Sequence, residues 1–336
     1  MFSKSILEIN EKKPELIKID NDIIKMIVQD AGIKTPIQTI GEPVTWVMQL
    51  YRIQLAGGKN LILKIGVIKD WSDESSIKNQ IKITKVLQSI GIDQPNILFS
   101  SIDNNKYGFH FILSERHKGK KLYERLEVST EKEKEKIYFQ IGQTYSMIHE
   151  IKNSWAGLWG GDPGIQKYPI HPVDFYKNAE IENGSGKYLL ETGIISTKIY
   201  DQINVLWNSN LNYLKERPNT LIHNSPFPWS IYISNNHNYS ICGLSALGDF
   251  MWWDNMVDIT HILNPPFLPI STEMKNSFRS GYIYQIDEKA VCLYSLLTLT
   301  CNLAGCYFAP VNLVDKEKWK ALQIAKIEHN IKQLYE

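Results

Sequence analysis

The chain has 336 residues, and 37 lysines and arginines against 36 aspartates and glutamates leave a net charge of +1. This balance gives no electrostatic case for a nucleic-acid partner or an anionic membrane surface, so we expect neither. The length exceeds what one hydrophobic core usually serves, and the apolar fraction of 43% is ordinary for a globular protein. We therefore predict a chain of two lobes.

The four cysteines include no CxxC pair, which favours a reduced, cytoplasmic protein. No run approaches the ~20 apolar residues of a membrane helix, and the N-terminus lacks the apolar region of a secretory signal. We expect a cytoplasmic location, and the sequence leaves the oligomeric state open.

The first lobe is predicted over residues 1–115. Apolar positions at helical spacing predict a helix over residues 20–34, with Asp20 as its cap and Gly32 as its end. Five later segments change to a period of two, and a second helix is predicted over residues 74–90. The five segments are residues 37–40, 45–55, 60–67, 96–101 and 107–114. Together they predict a five-stranded antiparallel sheet with one main helix packed on it.

Lys64 lies inside the third of these strands. Taken alone, it is typical of an outward-facing residue on an edge strand, because lysine is rarely buried. The alternative is a phosphate-pairing lysine on the third strand of a small nucleotide-binding lobe. The polar segment that follows the sheet, Glu115–Lys121, is expected to be a hinge between the lobes.

The second lobe, residues 116–336, is predicted to be mainly helical. Its helices are predicted over residues 122–126, 129–151, 172–181, 196–214, 271–284, 288–305 and 316–334. Between the fourth and fifth helices, Thr220–Ile259 reads as strand, turn, strand, hairpin, strand and an acidic loop, with the three strands at Leu221–His223, Ile231–Ile233 and Tyr239–Leu244. A phosphotransferase site is built in this order. The fold class we predict is therefore α+β, with an N-terminal sheet lobe and a larger helical C-terminal lobe.

Six different short motifs follow one another along the chain in a distinctive order and spacing. They are Leu63-Lys64-Ile65; Gly91-Ile92 with Pro95-Asn96-Ile97-Leu98; Ile141-Gly142 with Met147-Ile148-His149; Leu221-Ile222-His223; Gly243 with Gly248-Asp249, Asp254 and Asp258-Ile259; and Phe278 with Gly281-Tyr282. In this arrangement the chain resembles the aminoglycoside phosphotransferase and choline kinase branch of the protein-kinase-like fold, over roughly residues 35–305. The resemblance implies a bilobal fold in which Lys64, Glu115 and His117 contact ATP or another nucleotide.

Three positions depart from the pattern of that family. Ser225 stands where the family has its catalytic Asp, Ser230 where it has the loop Asn, and Ala246 where it has the metal-binding Asp. Phosphoryl transfer needs magnesium to hold the phosphates and a carboxylate to orient the accepting hydroxyl. Serine and alanine cannot replace carboxylates as magnesium ligands, because this dication prefers charged oxygens. We therefore expect no magnesium site and assign no catalytic residue.

The residues that would brace the same loop are still present, and the family's lysine-pairing Glu falls on Gln80 or Lys82. The bracing residues are His223, Gly248, Asp249, Asp254 and Asp258. A loss confined to the chemistry suggests a fold kept for binding. The predicted function is a pseudokinase that binds a small molecule, a nucleotide without metal, or a partner protein in the cleft between the lobes.

Three alternatives remain open at this point. The first is an active ATP-dependent small-molecule kinase in which Asp249 substitutes for the missing metal ligand. The second is a different transfer reaction on the same fold, because fold does not fix function. The third is a scaffold whose cleft is plugged by Trp229, Trp252 or Trp253.

Aromatic residues crowd the positions near the expected site. Phe227, Trp229, Phe250, Trp252 and Trp253 either fill the vacated nucleotide or metal space or form a platform for a flat ligand. The candidate ligand pocket combines polar and aromatic side chains. Its members are His223, Ser225, Trp229, Asp249, Trp252 and Trp253.

Overall fold

The computed structural model describes residues 19–45, 48–66, 74–102, 106–158, 171–236, 238–265, 268–308 and 316–336. Within these ranges the chain forms two compact units. Among the described residues, the sheet unit contains those from 19 to 125 and from 231 to 248, and the helical unit contains those from 126 to 230 and from 249 to 336. The hairpin within Thr220–Ile259 thus packs with the sheet unit, although the flanking loops pack with the helical unit.

The elements follow one another in a mixed first part and a mainly helical second part. Up to residue 127 they are α1 (Asn21–Asp30), β1 (Ile37–Ile40), β2 (Val44–Thr45), β3 (Met48–Leu55), β4 (Asn60–Gly66), α2 (Glu74–Ser89), β5 (Ile97–Ser101), β6 (Phe111–Glu115), β7 (Lys120–Lys121) and α3 (Leu122–Glu127). From there to residue 222 they are α4 (Glu131–His149), β8 (Lys152–Asn153), β9 (Gly157–Leu158), α5 (Pro172–Tyr176), a π-helical turn (Lys177–Glu182), α6 (Ser185–Glu191), α7 (Thr197–Ser209), α8 (Leu211–Lys215) and β10 (Asn219–Ile222). The rest are β11 (Ile231–Ile233), β12 (Ile241–Leu244), a 3-10 turn (Leu247–Asp249), β13 (Met251–Trp253), α9 (Met256–Leu263), α10 (Thr272–Gly281), α11 (Glu288–Phe308) and α12 (Lys316–Tyr335).

The main sheet has the antiparallel strand order β1-β3-β4-β6-β5, which confirms the predicted five strands, and the short β2 pairs with β3. Residues 46, 47 and 67 of the predicted strands lie outside the described ranges. β4 is the central strand, and Lys64 on it lies opposite Leu50 of β3 and Ile112 of β6. The edge-strand interpretation of Lys64 is therefore wrong, because β4 is paired on both sides.

One face of this sheet is covered by α1. Leu61, Leu63 and Ile65 alternate along β4 and pack with Ile24 and Ile27 of the helix. The predicted Asp20 cap is confirmed, because its side chain accepts a hydrogen bond from the Asp22 N–H at 2.9 Å. The alternation places Lys64 on the other face, away from this core.

The hinge segment packs with the hairpin that follows the loop. β12, β11 and β7 form a three-stranded sheet, in which Tyr232 lies opposite Lys121 and Ile233 opposite Lys120. β11 matches its predicted bounds. The sequence placed a single division after residue 115, whereas here the hinge and the hairpin form part of the same compact unit as the main sheet.

The helical unit is built around the contact of α4 with α10. α4 begins with a capping box in which Thr130 and Glu133 satisfy each other's backbone donors. A Cβ on Gly142 would lie 2.4 Å from the Phe278 carbonyl oxygen, and one on Gly281 would lie 2.2 Å from that of Phe139. Both positions require glycine, because the two helix backbones approach too closely for a side chain.

Several predicted helices differ in detail. The helix predicted over residues 172–181 is α5 followed by the π-helical turn, and that over 196–214 is interrupted at Asn210, whose side chain donates to the Leu206 carbonyl at 2.8 Å. α6, α9 and the strand β13 were not predicted. β13 lies between Asp249 and Asp254, in the segment predicted to be an acidic loop. No helix within the described ranges is long and apolar enough to cross a membrane.

Candidate functional site

The loop that follows β10 is held by one buried carboxylate. Asp258 of α9 accepts the backbone N–H groups of His223 at 2.7 Å and Asn224 at 2.8 Å. It also pairs with Nε2 of His149, the last residue of α4, at 3.1 Å. Two elements distant in sequence thus fix the backbone at the start of the loop. Asn224 adopts a left-handed conformation with φ of 61°, which costs energy for a residue other than glycine.

The bracing continues through buried aromatic side chains. The Tyr282 hydroxyl lies 2.8 Å from His149 Nδ1 and accepts the Asn255 amide at 2.7 Å. The Tyr145 hydroxyl lies 2.8 Å from His223 Nδ1. His223 has no exposed surface and braces the loop from inside the core, and its place in a ligand pocket stays a prediction.

Asp254, another predicted bracing residue, also has a structural role. Its carboxylate pairs with Arg217 and accepts the Met256 N–H at 3.0 Å. Arg217 also contacts Asp287. Arg217 was not predicted to complete this buried cluster, because it lies 37 residues away from Asp254 along the chain.

Ser225 and Asp249 form the polar centre of the loop. The Ser225 hydroxyl donates to Asp249 Oδ2 at 2.6 Å. Burial raises the pKa of the Asp249 carboxyl, and the hydrogen bond from Ser225 opposes that rise. Among the described residues, no lysine, arginine or histidine forms an ion pair with Asp249. A partly buried carboxylate thus accepts a hydrogen bond from a serine hydroxyl.

The other two positions that depart from the family pattern carry no carboxylate. Ser230 is buried, and its backbone N–H donates to the Phe227 carbonyl at 2.8 Å. Ala246 has a left-handed φ of 57° and only a methyl side chain. Within the described ranges, no three His, Cys, Asp or Glu side chains converge as metal ligands would. These two positions therefore offer a neutral hydroxyl and a methyl group, whereas magnesium prefers charged oxygens.

In the sheet unit, the positive charge of Lys64 has little negative charge to balance it. Burial lowers the pKa of its amine from 10.5 to about 8. No carboxylate in the described part of the chain forms an ion pair with it. Gln80 of α2, at the position expected to hold the family's pairing Glu, instead donates its amide to the sulfur of Met48 at 3.2 Å. The charged form of Lys64 is therefore costly unless an anion approaches it.

The two hinge residues predicted to bind nucleotide already have partners within the sheet unit. Glu115 pairs with Lys59 at 2.8 Å and accepts the Asn96 amide at 3.1 Å, and the bond from Lys59 is the main cause that lowers its pKa. His117 stacks on Tyr232 with ring centroids 4.1 Å apart.

Burial, and then the charges of Lys64 and Lys121, lower the pKa of His117 to about 3. His117 is therefore neutral near pH 7. Its ring is seated over Gly243 of β12, where a Cβ would lie only 2.2 Å from Nδ1.

The three candidate tryptophans occupy different places. Trp253 is 1% exposed, stacks on Tyr176 with centroids 5.0 Å apart and meets the Tyr294 ring edge-on. Trp252, also buried, meets Trp155 edge-on. β13 places both rings in the packing of the helical unit, and their part in a ligand pocket stays a prediction.

Trp229 is different, because 41% of its surface is exposed. Its ring stacks on Phe227 with centroids 4.8 Å apart, and Phe227 meets the His261 ring at 5.0 Å. The structure thus brings Ser225 and Asp249 together and leaves Trp229 as an exposed aromatic ring on the same loop.

Comparison of the fold with solved structures confirms the predicted resemblance. Aminoglycoside phosphotransferase APH(2'')-Ib bound to ADP aligns with a TM-score of 0.60 and 15% identity, covering 93% of this chain and 97% of that one. The gentamicin complex of APH(2'')-IIa aligns with a TM-score of 0.61 and 14% identity, covering 93% and 97%. The GDP complex of aminoglycoside 2'-phosphotransferase-IIIa gives 0.58 and 14%, covering 94% and 99%.

At these identities the likeness concerns the fold alone. No family model matches the sequence. No curated protein matches it either. The comparison therefore shows an α+β, protein-kinase-like bilobal fold and nothing finer.

Proposed function

We propose that this chain is a kinase-like binding protein that takes up an anionic small molecule, such as a nucleotide, without magnesium and without transferring a phosphoryl group. The hydrogen bond from Ser225 to Asp249 carries the proposal. At the position where the fold family has a catalytic carboxylate, this chain has Ser225, and its hydroxyl donates a hydrogen bond to Asp249. A serine there cannot act as the base that a kinase needs.

The metal chemistry of the fold family is also unsupported by the residues present. Ser225 and Ser230 offer only neutral hydroxyl groups, and Ala246 offers no ligand atom. Asp249 is a single carboxylate already engaged by Ser225. Because magnesium dehydrates reluctantly and needs charged oxygens, one engaged carboxylate is a poor site for it.

Lys64 supports the choice of an anion as the ligand. Its amine is held on the central strand of the sheet with its pKa lowered to about 8 by burial. A phosphate or carboxylate beside it would restore the charged form and return part of the desolvation cost. Neither His117, which is neutral, nor Lys121, which is cationic, can neutralise the Lys64 amine.

Calorimetric titration of a nucleoside triphosphate into the protein, in EDTA and in magnesium, tests this proposal. We expect the same affinity in both buffers, and Lys64→Met should weaken it by about tenfold or more, or about 1.4 kcal/mol. Lys34→Met, a matched change at an exposed lysine of the same unit, should leave it unchanged. Binding that appears only with magnesium, or that Lys64→Met leaves intact, would refute the proposal.

One observation favours a second candidate, an active small-molecule phosphotransferase that uses Asp249. A buried carboxylate that accepts a hydroxyl at 2.6 Å has the geometry of a general base with its substrate. This candidate predicts magnesium-dependent consumption of ATP in the presence of a hydroxylated acceptor, and Asp249→Ala should abolish it. On its cysteine usage we expect the protein to work in a reduced, cytoplasmic compartment.

A further inference from the structure

The Ser225–Asp249 pair has a second feature that the binding proposal does not use. The carboxylate is buried and its pKa is raised, yet the described chain supplies it with a serine hydroxyl and no cation. Burying an ionised carboxylate without a countercharge is costly. Residues kept in such a state are often functional, because the same burial makes the carboxylate a stronger base.

The backbone around Ser225 is unusually well fixed for a loop. Asp258 holds the N–H groups of His223 and Asn224, and the Phe227 N–H donates back to the Ser225 carbonyl at 2.8 Å. The left-handed Asn224 immediately precedes the serine. A sharp, strained turn directly after a strand is a common way to present a nucleophilic hydroxyl.

We infer that Ser225 is a nucleophile that accepts an acyl group from a neutral ester or thioester, with Asp249 as its general base. In the reaction, Ser225 Oγ forms a bond to the carbonyl carbon while its proton passes to Asp249 Oδ2. The tetrahedral intermediate then collapses, and the bond from that carbon to the alcohol oxygen or thiol sulfur breaks. The leaving group takes the proton from Asp249. The products are the acylated Ser225 and a free alcohol or thiol, with no oxidant, reductant or metal involved.

The surroundings favour an uncharged acyl donor over a phosphorylated one. A triphosphate approaching Ser225 would be repelled by the Asp249 carboxylate, and the described residues pair no cation with that carboxylate. Phosphoryl transfer depends on cations to offset charge, whereas attack on an ester carbonyl does not. The exposed Trp229 ring, stacked on Phe227 a few residues further along the loop, offers an apolar surface for the acyl chain.

The inference is tested with p-nitrophenyl butyrate and the 336-residue chain, without added nucleotide. We expect a burst of nitrophenolate equal to one acyl group per chain, and peptide mapping by mass spectrometry should place the adduct on Ser225. Ser225→Ala should abolish the burst. Asp249→Asn, which keeps the shape of the side chain but removes the base, should slow acylation by about 100-fold or more.

Ser280→Ala serves as the matched control, because Ser280 is an exposed serine elsewhere in the same unit and should leave the burst unchanged. Thermal unfolding of each variant checks that it is folded. An adduct on other residues, no adduct, or acylation of Asp249→Asn at the wild-type rate would each overturn the inference. Nucleotide titration of Ser225→Ala tests the binding proposal separately, because Lys64 is unchanged in that variant.

Discussion

Asp258→Ala is the substitution that tests most sharply how the loop is held. The carboxylate is fully buried and accepts three donors: the His223 N–H at 2.7 Å, the Asn224 N–H at 2.8 Å and His149 Nε2 at 3.1 Å. Removing it leaves these donors buried without an acceptor. An unsatisfied buried donor costs about 1–3 kcal/mol, and the three act as one network, so we expect a loss of about 4–5 kcal/mol.

Urea unfolding followed by tryptophan fluorescence measures this loss, because Trp252 and Trp253 are buried in the same unit. Asp201→Ala is the matched control, since Asp201 is an exposed acid on α7, and it should change stability by less than about 0.5 kcal/mol. Asp258→Asn should fall between the two, because the amide keeps one acceptor oxygen but lacks the charge. A loss below about 1 kcal/mol for Asp258→Ala would show that this network does not hold the loop.

Three further predictions follow from the site. The triple variant Ser225→Asp, Ser230→Asn and Ala246→Asp supplies the oxygens that magnesium needs, so its nucleotide affinity should rise by about tenfold or more when magnesium is added. Calorimetry measures this affinity. An equal affinity with and without magnesium would count against our view of these positions. Gly243→Ala should displace the His117 ring from Tyr232 and cost about 1–3 kcal/mol, because its Cβ would lie 2.2 Å from His117 Nδ1; an unchanged melting temperature and unchanged His117 NMR shifts would contradict this seating. The free energy of unfolding should also rise by up to about 3 kcal/mol between pH 8 and 10.5, because folded Lys64 loses its proton near pH 8 whereas the unfolded chain holds it to about 10.5. Urea titrations of Lys64→Met should lack this rise. If that variant keeps the rise, another group is responsible for it.

Much of the fold could be predicted from hydrophobic periodicity and from the turn-forming residues that bound each element. The helix predicted over residues 74–90 is α2, Glu74–Ser89, and the strand predicted at Ile231–Ile233 has those bounds. These elements are long or sharply bounded, so local patterns determine them. β13 was missed because it lies between Asp249 and Asp254, in a segment predicted to be an acidic loop, and α7 ends early where the Asn210 side chain donates to the Leu206 carbonyl.

The candidate site was predictable in its positions but not in its contacts. The motif spacing identified Ser225 and Asp249, yet their hydrogen bond joins residues 24 apart, across a hairpin that packs in the other unit. The same limit applies to His223 and Trp253, whose burial the motifs did not indicate. Sequence pattern marks a residue near the loop, but only the packing of α4, α9 and β13 decides whether it lies at the surface or in the core.

Phosphorus NMR of ATP in the presence of the protein tests the central claim most directly, because one spectrum reports both binding and turnover. Our account predicts that the phosphate resonances broaden on addition of protein in EDTA, and that Lys64→Met removes the broadening. It also predicts that no ADP or phosphorylated product forms when magnesium and a hydroxylated acceptor are added. Magnesium-dependent formation of ADP that Asp249→Ala abolishes would contradict it and identify the chain as an active phosphotransferase.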